Sequence, residues 1–314
     1  MNCCTPGHDG PAHARAGAGG AAPNGSGKND SHTNSSGTNG SGTHLVRQAV
    51  IPGGEFAMGD AHGDGYRADG ELPVHRVTLR PFMIDRTAVT VAAFRTFVDA
   101  TGYVTDAERF GSSAVFHSYA EGGVPLPEAP WWRTVDGATW RFPGGPGTVA
   151  VADHPVVHVS HADALAYCMW TGRDLPTEAQ WEYAARGGLE GARYPWGDRH
   201  PRPQQIDIFT GTFPWEPTGP VGTVPADAHA PNGFGLHQTV GNVWEWCCDR
   251  YSARYYSRSP SADPTGPDRG NSRVLRGGSH LCHDSYCYRY RVSARSHSTP
   301  DSSASNIGFR TVTA

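Results

Sequence analysis

The sequence predicts an α+β fold: a single compact domain, irregular and loop-rich. Three observations carry this expectation. First, 40 Gly and 25 Pro in 314 residues point to short elements joined by turns rather than long regular ones. Second, hydrophobic residues make up only 37%, yet nine Trp and twelve Tyr supply a core, because each aromatic buries a large area. Third, capped helix patterns and short strand patterns occur together after residue 44, and no linker divides residues 45–314. Length alone favours about two domains at ~150 residues each; the unbroken composition favours one.

In chain order, residues 1–44 are mostly Gly, Ala, Ser, Asn, Thr and His. Such a segment buries too little to offset its ordering entropy, so a disordered tail is expected. Cys3-Cys4 within it reads either as a chance pair of exposed thiols or as a thiol carrier on a tether. The start MNCCTPGHDG has no basic stretch followed by an apolar one, so the expectation is a cytoplasmic protein without a signal peptide. No run approaches the ~18 apolar residues of a membrane span.

IPGGEFAMGD reads as a short strand bounded by turns. His75 to Ile84 alternates in part and reads as a strand. Three helices follow from their caps. Thr90 opens AAFRTFVDAT, which stops at Gly102. Ser160 opens HADALAYCMW, with Asp163 three residues on and Gly172 at the stop. Thr177 opens EAQWEYAAR, with Gln180 in the capping-box position and Gly187-Gly188 at the end. The carboxyl half reads as loop with short strands at Arg273 to Arg276, Tyr286 to Ala294 and Ile307 to Val312.

The formal charge is -4, which argues against a nucleic-acid partner. Chemistry concentrates in LCHDSYC, where Cys282 and Cys287 stand at i and i+5. In a reducing compartment such a pair reads as metal-binding or catalytic before structural. Three chemistries compete. A zinc site wants four ligands, and the other ordered pair, Cys247-Cys248, has poor geometry for one. A disulfide is allowed, and would be labile. A two-sulfur site selects a soft ion, Cu(I) above all, and leaves room for a third sulfur. Downstream, Tyr286, Tyr288 and Tyr290 alternate with Cys287, Arg289 and Arg291. This predicts a strand with an aromatic and a basic face.

The run GGSHLCHDSYCYRYRVSARSHSTPDSSASNIGFR resembles the signature of the formylglycine-generating enzymes, or sulfatase-modifying factors. PGGEFAMGD, DAERFGSSAVF, HPVVHVS, LPTEAQWEYAARGG, YPWGD, PNGFGL and VGNVWEWCCD extend the resemblance over about Val46 to Arg310. The thiol pair singles out the copper oxidase branch. The resemblance implies a C-type-lectin-related fold and oxidation of the cysteine in a Cys-x-Pro-x-Arg sulfatase motif to Cα-formylglycine, with dioxygen and copper. The implied partner is an unfolded or nascent sulfatase, met by a monomer, with no nucleic acid and no membrane involved.

Position by position, the resemblance implies Cu(I) on Cys282 and Cys287, with the substrate thiolate as third sulfur. Ser279 matches a serine beside the oxygen site, or is a turn residue. Trp244 matches an aromatic wall, or packs the core. Asn306 and Arg295 match residues lining the peptide cleft, and Arg295 reads equally as a buried ion-pair partner. For Ca2+, one implied site uses Gln238, Gly241, Val243 and Glu245. A second begins at Asp207-Ile208, where the acidic segment that normally completes it is missing from FPWEPTGPVGTVP. Cys168 matches a position that is disulfide-bonded in secreted relatives; its partner position is Thr311, so it reads as a small buried hydrophobe. Two other classes compete with the oxidase. One is a non-catalytic peptide-binding paralogue on the same scaffold. The other is an iron-dependent sulfoxide synthase, which needs an additional His-rich domain.

Overall fold

A computed structural model describes residues 42–314. The expected disordered tail therefore lies outside the described residues except for its last three, and Cys3-Cys4 lies wholly outside. Those last three already belong to the folded body. Gly42 N donates to Trp170 O at 2.9 Å, and a Cβ there would lie 2.0 Å from the Trp170 ring. His44 bridges the Tyr167 hydroxyl at 3.0 Å and the buried Asp85 carboxylate at 2.8 Å. Composition placed the boundary after His44 because a histidine carries no apolar signal. Its two polar partners lie far off in sequence.

Strands β1 (Gln48–Ile51), β2 (Gly54–Met58), β3 (His75–Leu79) and β4 (Phe82–Asp85) open the chain. β2 and β3 form an antiparallel ribbon; β4 lies between β1 and the final strand. The single strand expected over His75 to Ile84 is thus two, broken at Arg80-Pro81, where proline cannot donate to a ladder. Helix α1 (Val91–Thr101) starts at the Thr90 cap and ends at left-handed Gly102, as its pattern indicates. Helix α2 (Asp106–Phe110) was not expected, although Thr105 and Glu108 form a complete capping box; its apolar run is too short to show a period. Also unexpected is the sheet of β5 (Ser112–Phe116), β6 (Val124–Leu126) and β7 (Ala129–Asp136), in the order β5-β7-β6.

Helices α3 (His161–Thr171) and α4 (Glu178–Arg186) carry the capping boxes read from the sequence. In α4, Thr177 Oγ1 accepts from Gln180 N at 3.1 Å while Gln180 Oε1 accepts from Thr177 N at 2.9 Å. Replacing Thr177 with Ala is expected to cost about 1 kcal/mol, read as a lower urea midpoint at unchanged m-value.

After a short hairpin, β8 (Gly211–Thr212) and β9 (Glu216–Pro217), comes the sheet that organises the molecule. It comprises β10 (Trp244–Arg250), β11 (Arg273–Arg276), β12 (Arg295–Ser298) and β13 (Ile307–Gly308), in the order β12-β11-β10-β13. β10 runs antiparallel to β11 and parallel to β13. Strand β14 (Val312–Thr313) closes on β4. The main core joins α1, α3, α4 and this sheet through Phe94, Tyr167, Trp181, Trp244, Trp246 and Phe309.

The strand expected over Tyr286 to Ala294 is not formed. The segment is a looped connection whose first true strand residue is Arg295. Its backbone finds partners elsewhere: Cys287 N bonds to His283 O, Val292 N to Arg193 O, and Ala294 N to Arg291 O. The arginines alternate because they reach ion-pair partners, not because they share a pleat.

One polar group inside the fold sets a pH response. His158 is buried with φ 57°. Its Nε2 donates to the Pro143 carbonyl at 2.8 Å, so Nδ1 accepts from the Ser113 hydroxyl at 2.8 Å. Burial lowers its pKa from 6.5 to about 4. A depressed histidine binds its proton more readily unfolded than folded. Its contribution is therefore complete above about pH 6.5 and is lost as pH falls through about 4, on the order of 3 kcal/mol in all. Urea midpoints at pH 7 and pH 4.5 should fall further on acidification in the wild type than in His158→Gln.

Candidate functional site

The thiol pair sits in a tight loop directly after β11. Gly277 and Gly278 have φ of 96° and 73°, a region that disfavours side chains. A Cβ on Gly278 would lie 2.9 Å from Arg289 O and 3.1 Å from Cys282 Sγ, so only glycine lets the loop fold back on itself. Two successive turns then form: Cys282 N bonds to Ser279 O at 2.9 Å, and Cys287 N to His283 O at 2.7 Å. They bring Cys282 Sγ and Cys287 Sγ to 3.1 Å. That is well beyond the ~2.05 Å of a disulfide between them. Both side chains are buried.

Three other sequence-predicted residues converge on this loop. Ser279 Oγ accepts from Leu281 N at 3.3 Å and from Asn306 Nδ2 at 3.0 Å. Ser279 N points at Cys282 Sγ at 3.4 Å. Trp244, at the start of β10, donates its backbone N–H to Asn306 O at 2.8 Å. Its indole Nε1 is buried without a hydrogen-bond partner among the described residues. Parallel pairing of Trp244 with Ile307 is what places β10 and Asn306 together. Phe209 N bonds to Cys282 O at 3.0 Å, tying the 207–213 segment to the thiols.

An aromatic wall flanks the loop. The Phe213 ring stacks on Tyr286 at 4.2 Å and 15°. Trp131 Nε1 donates to the Tyr286 hydroxyl at 3.2 Å. Next along the hairpin, exposed Trp215 packs on His117 at 4.6 Å. Phe213, Trp215 and Trp131 were not identified from the sequence. For Phe213 and Trp215 the signal was a pair of aromatics inside a short Gly/Pro hairpin; Trp131 lies in β7 and carried no such local mark.

Arg295 does not line a cleft. It is fully buried, and its guanidinium grips Glu178 in a fork at 2.6 and 2.8 Å. Arg276 reaches the same Glu178 at 3.0 Å and also pairs with Glu182, which Arg186 holds from the other side at 2.7 Å. Of its two sequence readings, the buried ion pair is the one the geometry supports.

Glu245 is likewise committed. Its Oε2 accepts from Arg310 Nε at 2.6 Å and Trp181 Nε1 at 2.7 Å; its Oε1 accepts from Arg310 Nη2 at 2.7 Å. A calcium ion there would compete with a guanidinium for a carboxylate that is already neutralised, so Glu245 does not fit as the charged ligand of that site. Other oxygens are available. Gln238 Oε1 and Asp207 Oδ2 are buried and without hydrogen-bond partners among the described residues. Burial pushes the Asp207 carboxyl up to about 7. The Asp207 carbonyl holds Asn242 N at 2.9 Å, so Asp207 and the 238–243 turn adjoin. No group of three or more His, Cys, Asp or Glu that could hold a metal occurs among the described residues. Cys168 is buried and unbridged, and burial raises its pKa. Thr311, at the position opposite in the resemblance, instead bonds Asp85 at 2.7 Å.

Residues 36–314 match the family described as sulfatase-modifying factor enzyme 1-like domain, FGE-sulfatase. The formylglycine-generating enzyme of Streptomyces coelicolor is 58% identical over 279 residues, which cover 84% of this chain and 88% of that one. The formylglycine-generating enzyme of Mus musculus is 48% identical over 279 residues, 85% of this chain and 74% of that one. Among solved structures, PvdO from Pseudomonas aeruginosa aligns with a TM-score of 0.64 at 25% identity, over 84% of this chain and 93% of that chain.

Proposed function

The chain belongs to the sulfatase-modifying factor family, and from that membership and its relatives we infer that it is a formylglycine-generating enzyme that converts a sulfatase cysteine to Cα-formylglycine. The observation that carries the finer reading is the buried pair of sulfurs, Cys282 and Cys287, 3.1 Å apart. As thiolates, two soft sulfur donors at this separation would suit Cu(I). Cys282 and Cys287 would hold it, and bound copper would supply one-electron access to dioxygen.

The other residues have separable roles in this reading. Both acceptor positions of the Ser279 hydroxyl are filled, by Leu281 N and Asn306 Nδ2. Its proton is thereby left to donate towards the reacting oxygen or sulfur. Asn306 fixes that hydroxyl from the residue just before β13. The Trp244 ring excludes water beside the thiols, and its Nε1–H, without a partner among the described residues, is a donor held ready in a dry site. The Phe213–Tyr286–Trp131 wall gives an extended substrate segment an apolar surface to lie against, which suits the partner we propose: an unfolded or nascent sulfatase bearing Cys-x-Pro-x-Arg. Electrons balance if a thiol reductant takes part. One substrate thiol, one dioxygen and two reductant thiols give one aldehyde, one hydrogen sulfide, one disulfide and one water.

For a hard cation, we place the ligands at the unpaired oxygens of Asp207 and Gln238, with the carbonyls of Ile208, Gly241 and Val243 completing the set, and leave Glu245 to Arg310. Metal analysis of purified Asp207→Ala against wild type tests this: calcium retained in the variant rules the site out.

The reading as a whole is tested by turnover. Copper-loaded protein, dioxygen, a thiol reductant and a Leu-Cys-Thr-Pro-Ser-Arg peptide should yield copper-dependent aldehyde at the peptide cysteine, read by mass spectrometry with aldehyde trapping. Peptide and copper bound without aldehyde would move the chain to the peptide-binding class.

A further inference from the structure

Two neighbouring ion pairs fasten the segment before β3 to the chain just beyond the thiols. Arg291 forks onto Glu71 at 2.7 and 2.8 Å. Arg289 forks onto Asp69, with Nε to Oδ2 at 2.5 Å and Nη2 to Oδ1 at 3.1 Å. All four side chains are buried or nearly so. The pairs look alike, but they differ in one respect. Arg289 directs a third nitrogen, Nη1, at Cys287 Sγ at 3.9 Å, whereas Arg291 directs its third nitrogen, Nε, at the Tyr288 carbonyl at 3.0 Å, and its Nη1 also donates to the Ser293 hydroxyl at 2.9 Å. The Arg289 guanidinium also lies over the Tyr66 ring at 4.3 Å. Its plane is thus fixed from two directions by residues far earlier in the chain.

We propose that Arg289 is a positioning residue for the Cys287 sulfur, and that Asp69, with Tyr66, fixes the guanidinium in that role. The proposal rests on the copper reading of the thiol pair. Its physical basis is that partners of a metal ligand set the ligand's orientation and donor strength, and are felt in affinity even though they never touch the metal. Arginine suits the task because its planar fork engages a carboxylate with one edge and still presents a donor on the other. Lysine, with one ammonium on a flexible stem, cannot hold both partners in one geometry. The Cys287 ligand is thereby aimed by a carboxylate 220 positions from Arg289.

The test is Cu(I) affinity of the full chain, measured without turnover by anaerobic competition with a chromophoric Cu(I) chelator. Arg289→Met and Asp69→Asn should weaken Cu(I) binding by about 10–100-fold, and Arg289→Lys should not restore it. Arg291→Met is the control. It leaves Glu71 buried and unpaired, so it should destabilise the fold as much in urea while leaving Cu(I) affinity within about twofold of wild type, an order-of-magnitude contrast to the effect above. If Arg289→Met does not fold, Asp69→Asn and Arg289→Lys carry the comparison. Wild-type affinity in the Arg289 and Asp69 variants, or an equal loss in Arg291→Met, overturns the proposal. A wild type that binds no Cu(I) is a different result: it removes the copper reading, and the proposal with it.

Discussion

Cys282→Ser and Cys287→Ser should each abolish aldehyde formation, by on the order of 10³-fold or more, several kcal/mol of transition-state stabilisation. Serine nearly matches cysteine in size, so the loop closed by Gly278 is retained. What changes is the donor. A hydroxyl is a hard ligand that does not hold Cu(I) at neutral pH, and one remaining thiolate does not make a chelate. Cu(I) binding and turnover should therefore disappear together while the thermal midpoint moves little. The Ser279→Ala variant discriminates further. It removes only the hydroxyl held by Asn306 and Leu281, so it should keep Cu(I) binding and lose rate. Full activity in both cysteine variants would sink the oxidase reading and leave the pair as buried packing.

Glu178→Gln should be the most destabilising of the conservative substitutions, at about 3–5 kcal/mol, the scale for breaking one partner out of a buried ion pair. Glu178 accepts from Arg276, from Nε and Nη2 of Arg295 and from the Tyr256 hydroxyl at 3.3 Å. Glutamine keeps the shape and one acceptor but leaves two buried guanidinium ions short of a counter-charge. Glu182 compensates only in part, because it already serves Arg186 as well as Arg276. The expected result is a large fall in urea midpoint, with turnover lost only in proportion to the unfolded fraction. A cost below about 1 kcal/mol, the range of an exposed pair, would mean that this cluster does not hold α4 to the central sheet.

The helices were legible because their signals are local. Thr90, Ser160 and Thr177 each cap the turn that follows within three residues, and Gly102, Gly172 and Gly187 end their helices by accepting a positive φ. The central strand was not legible. β10 is Trp-Glu-Trp-Cys-Cys-Asp-Arg, buried along most of its length. A strand covered on both faces has no period of two to read. The opposite error occurred at Tyr286 to Ala294, where alternation was present and a strand was not. There the alternate residues are Arg289 and Arg291 reaching Asp69 and Glu71, and charge pairing imitated a pleat.

The site divides the same way. Residue type and spacing by themselves marked Cys282 and Cys287 as a reactive pair, open between zinc, a labile disulfide and a soft-metal site, and a separation of five is closed by two local turns. Ser279, Trp244 and Asn306 were reached through the family resemblance, and no spacing would have assembled them. Their meeting depends on β13 pairing in parallel with β10, which the chain achieves only once the sheet is built. The sequence also left Arg295 between a cleft and a buried ion pair, and listed Glu245 as a ligand. Tertiary contacts settled the first as the partner of Glu178 and committed the second to Arg310. What the sequence by itself determined was local: caps, turns, the thiol pair and the glycines that let it fold back. What only the tertiary structure decided was which charges face each other inside the protein. A buried carboxylate must find its cation wherever the fold brings one, whether 4 residues away, as Glu182 finds Arg186, or 220, as Asp69 finds Arg289.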